Sequence, residues 1–212
     1  RSLNNLMALR AGAIRFNTDL SQMEIYDGNQ WTGILATSPE LETGTTRGLF
    51  GGGYSPGLFQ IISSINVETT GTFRSFGNLA AGSRGVTAMG SRTRAIFAGG
   101  YEPGFSNRIQ FHTFANQSSA HNATTDFGDL STGAFRSACM SNNTRGIITS
   151  MEASGSPIAQ LNNLIDFITI ASTGDAVDFG DQGTISRHAA PMSSKTRGVY
   201  FGGVGPSPGN SN

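Results

Sequence analysis

Four stretches decide how this chain folds: Thr46-Arg-Gly-Leu-Phe-Gly-Gly-Gly-Tyr54, Thr93-Arg-Ala-Ile-Phe-Ala-Gly-Gly-Tyr101, Thr144-Arg-Gly-Ile-Ile-Thr-Ser-Met-Glu152 and Thr196-Arg-Gly-Val-Tyr-Phe-Gly-Gly-Val204. Their starts lie 47, 51 and 52 residues apart. A period in this range marks a repeat architecture, in which one unit cannot bury its apolar face alone and stacking on its neighbours does so. Three further markers recur in step. Ser75-Phe-Gly-Asn-Leu79, Asp126-Phe-Gly-Asp-Leu130 and Asp178-Phe-Gly-Asp-Gln182 form one set. Ile65-Asn-Val67, Ile109-Gln-Phe111 and Ile165-Asp-Phe167 form another, alternating apolar and polar as a half-buried strand does. Met89, Met140 and Met192 each stand four residues before a Thr-Arg pair, with Arg84, Arg136 and Arg187 just upstream.

The markers predict four short strands per unit, in chain order a methionine strand, a Thr-Arg-Gly strand, an Ile-x-aromatic strand and a Phe-Gly-Asp strand. Four strands in about 50 residues, with Gly-Gly after an apolar strand, is the pattern of a kelch-like β-propeller blade. The expected fold is therefore all-β, with propeller-type repeats over 46–212, in units near 46–92, 93–143 and 144–195 and a partial one at 196–212. Three complete units and a partial one are too few strands to close a ring, so strands from a longer chain, from the N-terminal part or from a neighbouring copy are expected to complete it.

Spacing separates scaffold from surface. From the Phe of Phe-Gly-Asp to the next Thr the distance is 17 in every unit. From Thr to the Ile-x-aromatic strand it is 19, 16 and 21, and onward to the Phe 11, 18 and 14. Loops of variable length on a rigid scaffold are where binding concentrates. The loop after each Thr-Arg-Gly strand reads Tyr54-Ser-Pro-Gly-Leu-Phe59, Tyr101-Glu-Pro-Gly-Phe105 and Glu152-Ala-Ser-Gly-Ser-Pro157. Pro-Gly signals a turn. Tyr54, Pro56, Phe59, Tyr101, Pro103 and Phe105 are thus the candidate binding residues, the competing reading being that their rings fold back onto the blade edge.

Composition fits this picture and narrows function. Of 212 residues 29 are Gly and only 13% are charged, against about 25% in an ordinary domain. Net charge is zero and no basic run appears, so a nucleic-acid partner is not expected. No apolar run approaches the roughly 20 residues of a membrane span, no signal-peptide pattern is read at the N-terminus, and membrane insertion is not expected. The single cysteine, Cys139, reads as a small buried hydrophobe. Thirteen arginines face one lysine, which suggests planar hydrogen-bonding roles. Arg47, Arg94, Arg145 and Arg197 recur at one repeat position and Asn78, Asp129 and Asp181 at another. Pairing between these two sets, within or between blades, is expected, with a ring of anion sites as the alternative.

Residues 1–45 stand outside the repeat and read as a small β-meander for attachment or oligomerisation. Ile14 and Phe16 alternate, Asn17 to Ser21 turn, Met23 and Ile25 alternate, and Asp27-Gly28-Asn29 is a hairpin signal. The stretch Gly12-Ala-Ile-Arg-Phe-Asn-Thr-Asp-Leu-Ser-Gln-Met-Glu-Ile-Tyr-Asp-Gly-Asn-Gln-Trp31 resembles a module of tail-fibre and other virion structural proteins of tailed bacteriophages. The Thr-Arg-Gly and Phe-Gly-Asp repeat is similar to kelch-like repeats in virion proteins of cyanobacterial phages. The third unit, with Thr149-Ser-Met-Glu152 in place of Gly-Gly-Tyr, departs from that pattern. The resemblance implies a non-enzymatic virion component, in a tail fibre, collar or other exterior appendage. Its implied partners are other virion proteins, copies of itself and a host-surface glycan or protein. The alternative is a kelch-like carbohydrate-binding module of a bacterial surface protein.

Residue chemistry does not predict an enzyme, a cofactor or a metal. His112, His121 and His188 lack zinc-ligand spacing, and no Gly-x-Ser-x-Gly elbow appears. The glycine runs lack the Lys-Ser/Thr of a phosphate loop. Asp175, Asp178 and Asp181 are oxygen donors of the kind calcium takes, but residues three apart on a strand face opposite sides.

Overall fold

A β-bulge recurs at one place in three sheets and sets their registers. The computed structural model describes residues 10–18, 22–34, 46–114, 123–149, 151–153 and 160–205. The chain divides into two compact units, 1–39 and 40–212. In the first, β1 (Ile14–Asn17), β2 (Gln22–Tyr26) and β3 (Trp31–Gly33) form an antiparallel meander. The Asp27 carboxylate accepts the N–H groups of Asn29 and Gln30, both at 2.8 Å. Those two N–H groups hold its carboxyl below the usual carboxylate range. Cross-strand pairs Ile14–Ile25 and Phe16–Met23 make one apolar face, which is exposed. On the other face Arg15 binds Glu24 at 2.8 Å and stacks over Trp31.

The second unit is a series of antiparallel sheets. The first contains β4 (Arg47–Gly51), β5 (Ile61–Asn66) and β6 (Arg74–Asn78). The second contains β7 (Thr87–Gly90) and β8 (Arg94–Ala98), then, past the two-residue strands β9 (Tyr101–Glu102) and β10 (Gly104–Phe105), β11 (Arg108–Thr113) and β12 (Thr125–Asp129). The third begins after β13 (Ala134–Phe135) with β14 (Ala138–Ser141) and β15 (Arg145–Thr149), and ends, past β16 (Glu152–Ala153) and β17 (Gln160–Leu161), with β18 (Leu164–Thr169) and β19 (Val177–Asp181). A hairpin of β20 (Ala190–Ser193) and β21 (Gly198–Phe201) follows. The described residues are all-β, in small antiparallel sheets of two to four strands. Both four-stranded sheets carry the expected order of methionine, Thr-Arg-Gly, Ile-x-aromatic and Phe-Gly-Asp strands.

Register corrects one alignment. In the second sheet Ile109 faces Gly128 and Gln110 faces Asp126, so Phe127 is the unpaired bulge residue. In the third, Ile165 faces Gly180 and Asp166 faces Asp178, which leaves Phe179 unpaired. In the first, Ile62 faces Gly77 and Ser63 faces Ser75, leaving Phe76. The partner of Ile109 and Ile165 in the first unit is therefore Ile62, not Ile65. The Thr-to-Ile spacing becomes 16, 16 and 21 and the Ile-to-Phe spacing 14, 18 and 14, so each loop is lengthened in a single unit. Those insertions overlap residues 115–122 and 154–159, outside the described residues.

Four kinds of contact stitch the sheets together, and all four meet between the second and third. Strand β14 packs beside both β7 and β20. Met89 lies where a Cβ on Gly146 would stand, and Met140 does the same at Gly198. Ser141 Oγ donates to the Gly90 carbonyl at 2.9 Å, and Ser193 Oγ to the Ser141 carbonyl at 2.9 Å. The N–H groups of Gly53 and Gly100 donate to the carbonyls of Ser83 and Ala134 at 2.8 and 2.7 Å. Buried Gln110 accepts the Ala80 N–H at 2.8 Å, and its counterpart Asp166 accepts the Ser131 N–H at 3.0 Å and hydroxyl at 2.8 Å. Apolar cores fill the spaces between the first and second sheets (Ile62, Phe76, Leu79, Phe97) and the second and third (Met89, Ile96, Phe127, Ile148, Ile168).

Two outcomes follow. Gly99 has φ +63°, and a Cβ there would stand 2.5 Å from the Ala134 carbonyl oxygen; Gly202 has φ +68° and open space. Gly202→Ala should cost only the left-handed conformation, about 1–2 kcal/mol, while Gly99→Ala adds a backbone collision and should exceed about 3 kcal/mol, read by urea unfolding. Cys139 donates its S–H to the Ala88 carbonyl at 2.7 Å between β7 and β14. Burial is the main cause that pushes its thiol up. A disulfide reagent should therefore label native protein at pH 8 more slowly than urea-unfolded protein, with the midpoint of the rate-versus-pH curve above that of a free thiol.

Candidate recognition face

The Thr-Arg-Gly strands all end on one side of their sheets, and the loops that follow meet the segments entering the next methionine strand. In the first two units these loops close as narrow hairpins, Tyr54 bridging Leu58 and Tyr101 pairing with Phe105. Pro56 and Pro103 are exposed at their tips. Phe59 does not share the place of Phe105. Its N–H bonds the Gly53 carbonyl at 2.9 Å, as that of Ser106 bonds Gly100, and its ring packs under Gly53. The third loop continues through residues 154–157, outside the described residues.

The rings of consecutive units converge on Arg84. Its guanidinium lies 5.1 Å from the Tyr54 ring, 4.7 Å from Tyr101 and 5.7 Å from Phe135. Tyr101, Phe105 and Phe135 pack on one another with centroids 5.5–6.1 Å apart. A cation over ring faces contributes about 0.5–2 kcal/mol per contact, more as water is excluded. Tyr54 stays 59% exposed. Tyr101 and Phe105 are half-buried across the junction, while Tyr54, Pro56 and Pro103 face solvent.

The third unit continues the file with different chemistry. Pairing of Arg84 with Tyr101, Phe135 with Glu152 and Arg187 with Val204 makes Phe135, not Arg136, the counterpart of Arg84 and Arg187. Arg136 instead holds the left-handed position, φ 57°, that Gly85 and His188 occupy in the neighbouring units. Glu152 is buried where the second unit has Tyr101, and it takes Arg136 at 3.3 Å together with Arg187 of the following segment. Arg187 reaches back to Glu152 as Arg84 reaches back to Tyr54. Tyr54, Arg84, Tyr101, Phe135, Arg136, Glu152 and Arg187 therefore form one alternating line of rings, guanidinium groups and a carboxylate across the sheet junctions. An arginine five residues before the methionine was the sequence signal for Arg84 and Arg187, and the departure from Gly-Gly-Tyr was the signal for Glu152; Phe135 carried none.

Three of the repeated Thr-Arg arginines meet rings. Arg94 lies 4.6 Å over Phe111 and donates to the Ile170 carbonyl of the next unit at 2.9 Å. Arg145 lies 4.9 Å over Phe167, and Arg47 sits 5.8 Å from Phe76. Arg197 lines a cavity of about 540 Å³ between the third sheet and the last hairpin. Asn78 and Asp129 do join neighbouring units, but through their backbones. The Asn78 carbonyl accepts Thr124 N–H and that of Asp129 accepts Ala176 N–H, each at 2.8 Å. Asp181 pairs with Leu164 within its own sheet. Among the aspartates weighed for calcium, Asp175 accepts the Asp129 N–H at 3.0 Å and Asp178 the Gly180 N–H at 2.8 Å.

No protein-family profile and no curated protein matches the sequence. Glu152→Ala, which strands two arginines that keep contact with water, should lower the unfolding free energy by about 2 kcal/mol, below the cost of breaking a fully buried pair. Glu152→Gln, which can still accept one hydrogen bond, should fall between the two in the same denaturant titration.

Proposed function

We propose that this chain is a non-enzymatic structural component of a tailed-phage virion, in a tail fibre, collar or other exterior appendage, that works by assembly and by recognition of the host surface. The observation that carries the reading is its uncovered apolar surface. Ile14, Phe16, Met23 and Ile25 are exposed on the meander, Phe50, Val67 and Phe73 on the first sheet, and Met192, Val199 and Phe201 on the last hairpin. Contiguous apolar patches of this kind mark surfaces that other proteins cover. Its partners on this reading are other virion proteins and further copies of the chain.

A kelch-like propeller arrangement fits the same facts. Successive sheets repeat one strand order, and their methionine strands lie side by side, as the inner strands of blades do. The line from Tyr54 to Arg187 then runs along one rim, where loops of a propeller meet a ligand. Tyr54 and Tyr101 offer ring faces and Arg84 offers planar donors, a combination suited to sugar rings. That observation favours a second reading, a carbohydrate-binding module of a bacterial surface protein.

Mass spectrometry and electron microscopy of purified particles from the source separate the two. The virion reading expects the chain in the particle at fixed stoichiometry, with density on an exterior appendage. Its absence from particles, with retention on bacterial envelopes, overturns that reading in favour of the second. Tyr54→Ala combined with Arg84→Ala should reduce adsorption to host cells at least tenfold without changing particle yield.

A further inference from the structure

Met89 and Met140 are each 9% exposed because each rests on a glycine one unit further along, Gly146 and Gly198. Met192 holds the same position in the last hairpin and is 58% exposed. It lies directly across from Val199, with Ala190 and Phe201 as the next pair on that face. Val199 and Phe201 are more than half exposed. The opposite face of the hairpin, with Gly198, is the one packed on Met140. At the far end of the series Gly48 is the matching socket. Atoms near a Cβ placed there belong to its own sheet, Ile65 at 3.3 Å, Val67 at 3.5 Å and Phe50 at 3.9 Å. Among the described residues it is the Thr-Arg-Gly glycine with no methionine on it.

The first described sheet and the last described hairpin thus present the two halves of an interface already formed twice between described units. We infer that a second copy of this chain covers the trailing face with its leading face, Met192 of one copy seated on Gly48 of the next and the side chains of Val199 and Phe201 against Phe50 and Val67. This rests on the assembly reading above and names the surface it uses. Both halves belong to one chain, so the occupant of each face is fitted by the geometry that seats Met89 on Gly146. Such a contact is heterologous: it leaves a free knob and a free socket in every pair, and grows into a closed ring or a filament.

The test exploits that polarity. Wild-type chain in analytical ultracentrifugation should sediment as species heavier than one 22.2 kDa chain. Met192→Glu alone and Gly48→Glu alone should each be monomeric, since every pairing puts a charge into the joint. Mixed in equal amounts they should give a one-to-one dimer that grows no further, from the intact knob of one and the intact socket of the other. Wild-type protein that is monomeric at tens of micromolar, or a mixture that stays monomeric while both variants keep their native circular dichroism, overturns the inference. Should a glutamate variant fail to fold, Gly48→Cys with Met192→Cys, in a Cys139→Ser background, decides. Oxidation should yield a ladder of disulfide-linked chains from the double variant and dimers at most from either single one; no ladder overturns the inference. A chain found in particles but monomeric by these measures defeats this inference alone, and one that oligomerises but is absent from particles defeats the virion reading alone.

Discussion

The seating of a methionine on the glycine of the next unit is the contact on which the rest of the series depends. Sheets of three or four short strands are marginal alone and gain stability only when their faces are covered. Here the cover is the next sheet, and it approaches closely because Gly146 and Gly198 present backbone where any other residue would present a Cβ. Burying each methionine contributes about 1.5–3 kcal/mol. The same approach brings Ser141 and Ser193 within reach of carbonyls 51 and 52 residues earlier. The sequence period is thus repeated as a period in hydrogen bonds.

A second constraint works through polar atoms. The centre of the Ile-x-aromatic strand is buried, yet it holds Gln110 in one sheet and Asp166 in the next. Each accepts the first N–H past the preceding unit's Phe-Gly-Asn-Leu or Phe-Gly-Asp-Leu segment, at Ala80 and Ser131. A buried N–H without an acceptor costs about 1–3 kcal/mol, so a polar acceptor is required and its charge is secondary. Sparse charge in this chain has a related cause. Arg84 and Arg94 lie half-buried over rings, and Arg145 lies over one while staying exposed. A guanidinium sheds its weakly held water for a ring face at little cost.

The third unit shows how far such a repeat tolerates change. With Glu152 in the place of Tyr101, the arginine that would have met a ring meets a carboxylate, and the junction keeps its guanidinium contact. Scaffold and rim chemistry are therefore separable: glycines, methionines and the bulge hold the spacing, while the line of rings and charges along one side varies over it.

By itself the sequence determined the all-β character, the order of strands in the two four-stranded sheets, the period and the Asp27 hairpin. These rest on local chemistry: alternation of apolar and polar residues, turn residues and glycine. Tertiary structure alone decided the register of the first sheet. Ile65-Asn-Val67 alternates just as Ile109-Gln-Phe111 does, and only the bulge opposite Phe76 shows that Ile62 is the equivalent residue. It also decided the partners of the arginines, because a side chain that long reaches an acid or a ring equally well and the neighbouring sheet settles which one is there. Arg136 stands four residues before its methionine, where Arg84 and Arg187 stand five before theirs. A one-residue shift is invisible in composition, yet in a strand it reverses the face on which a side chain lies.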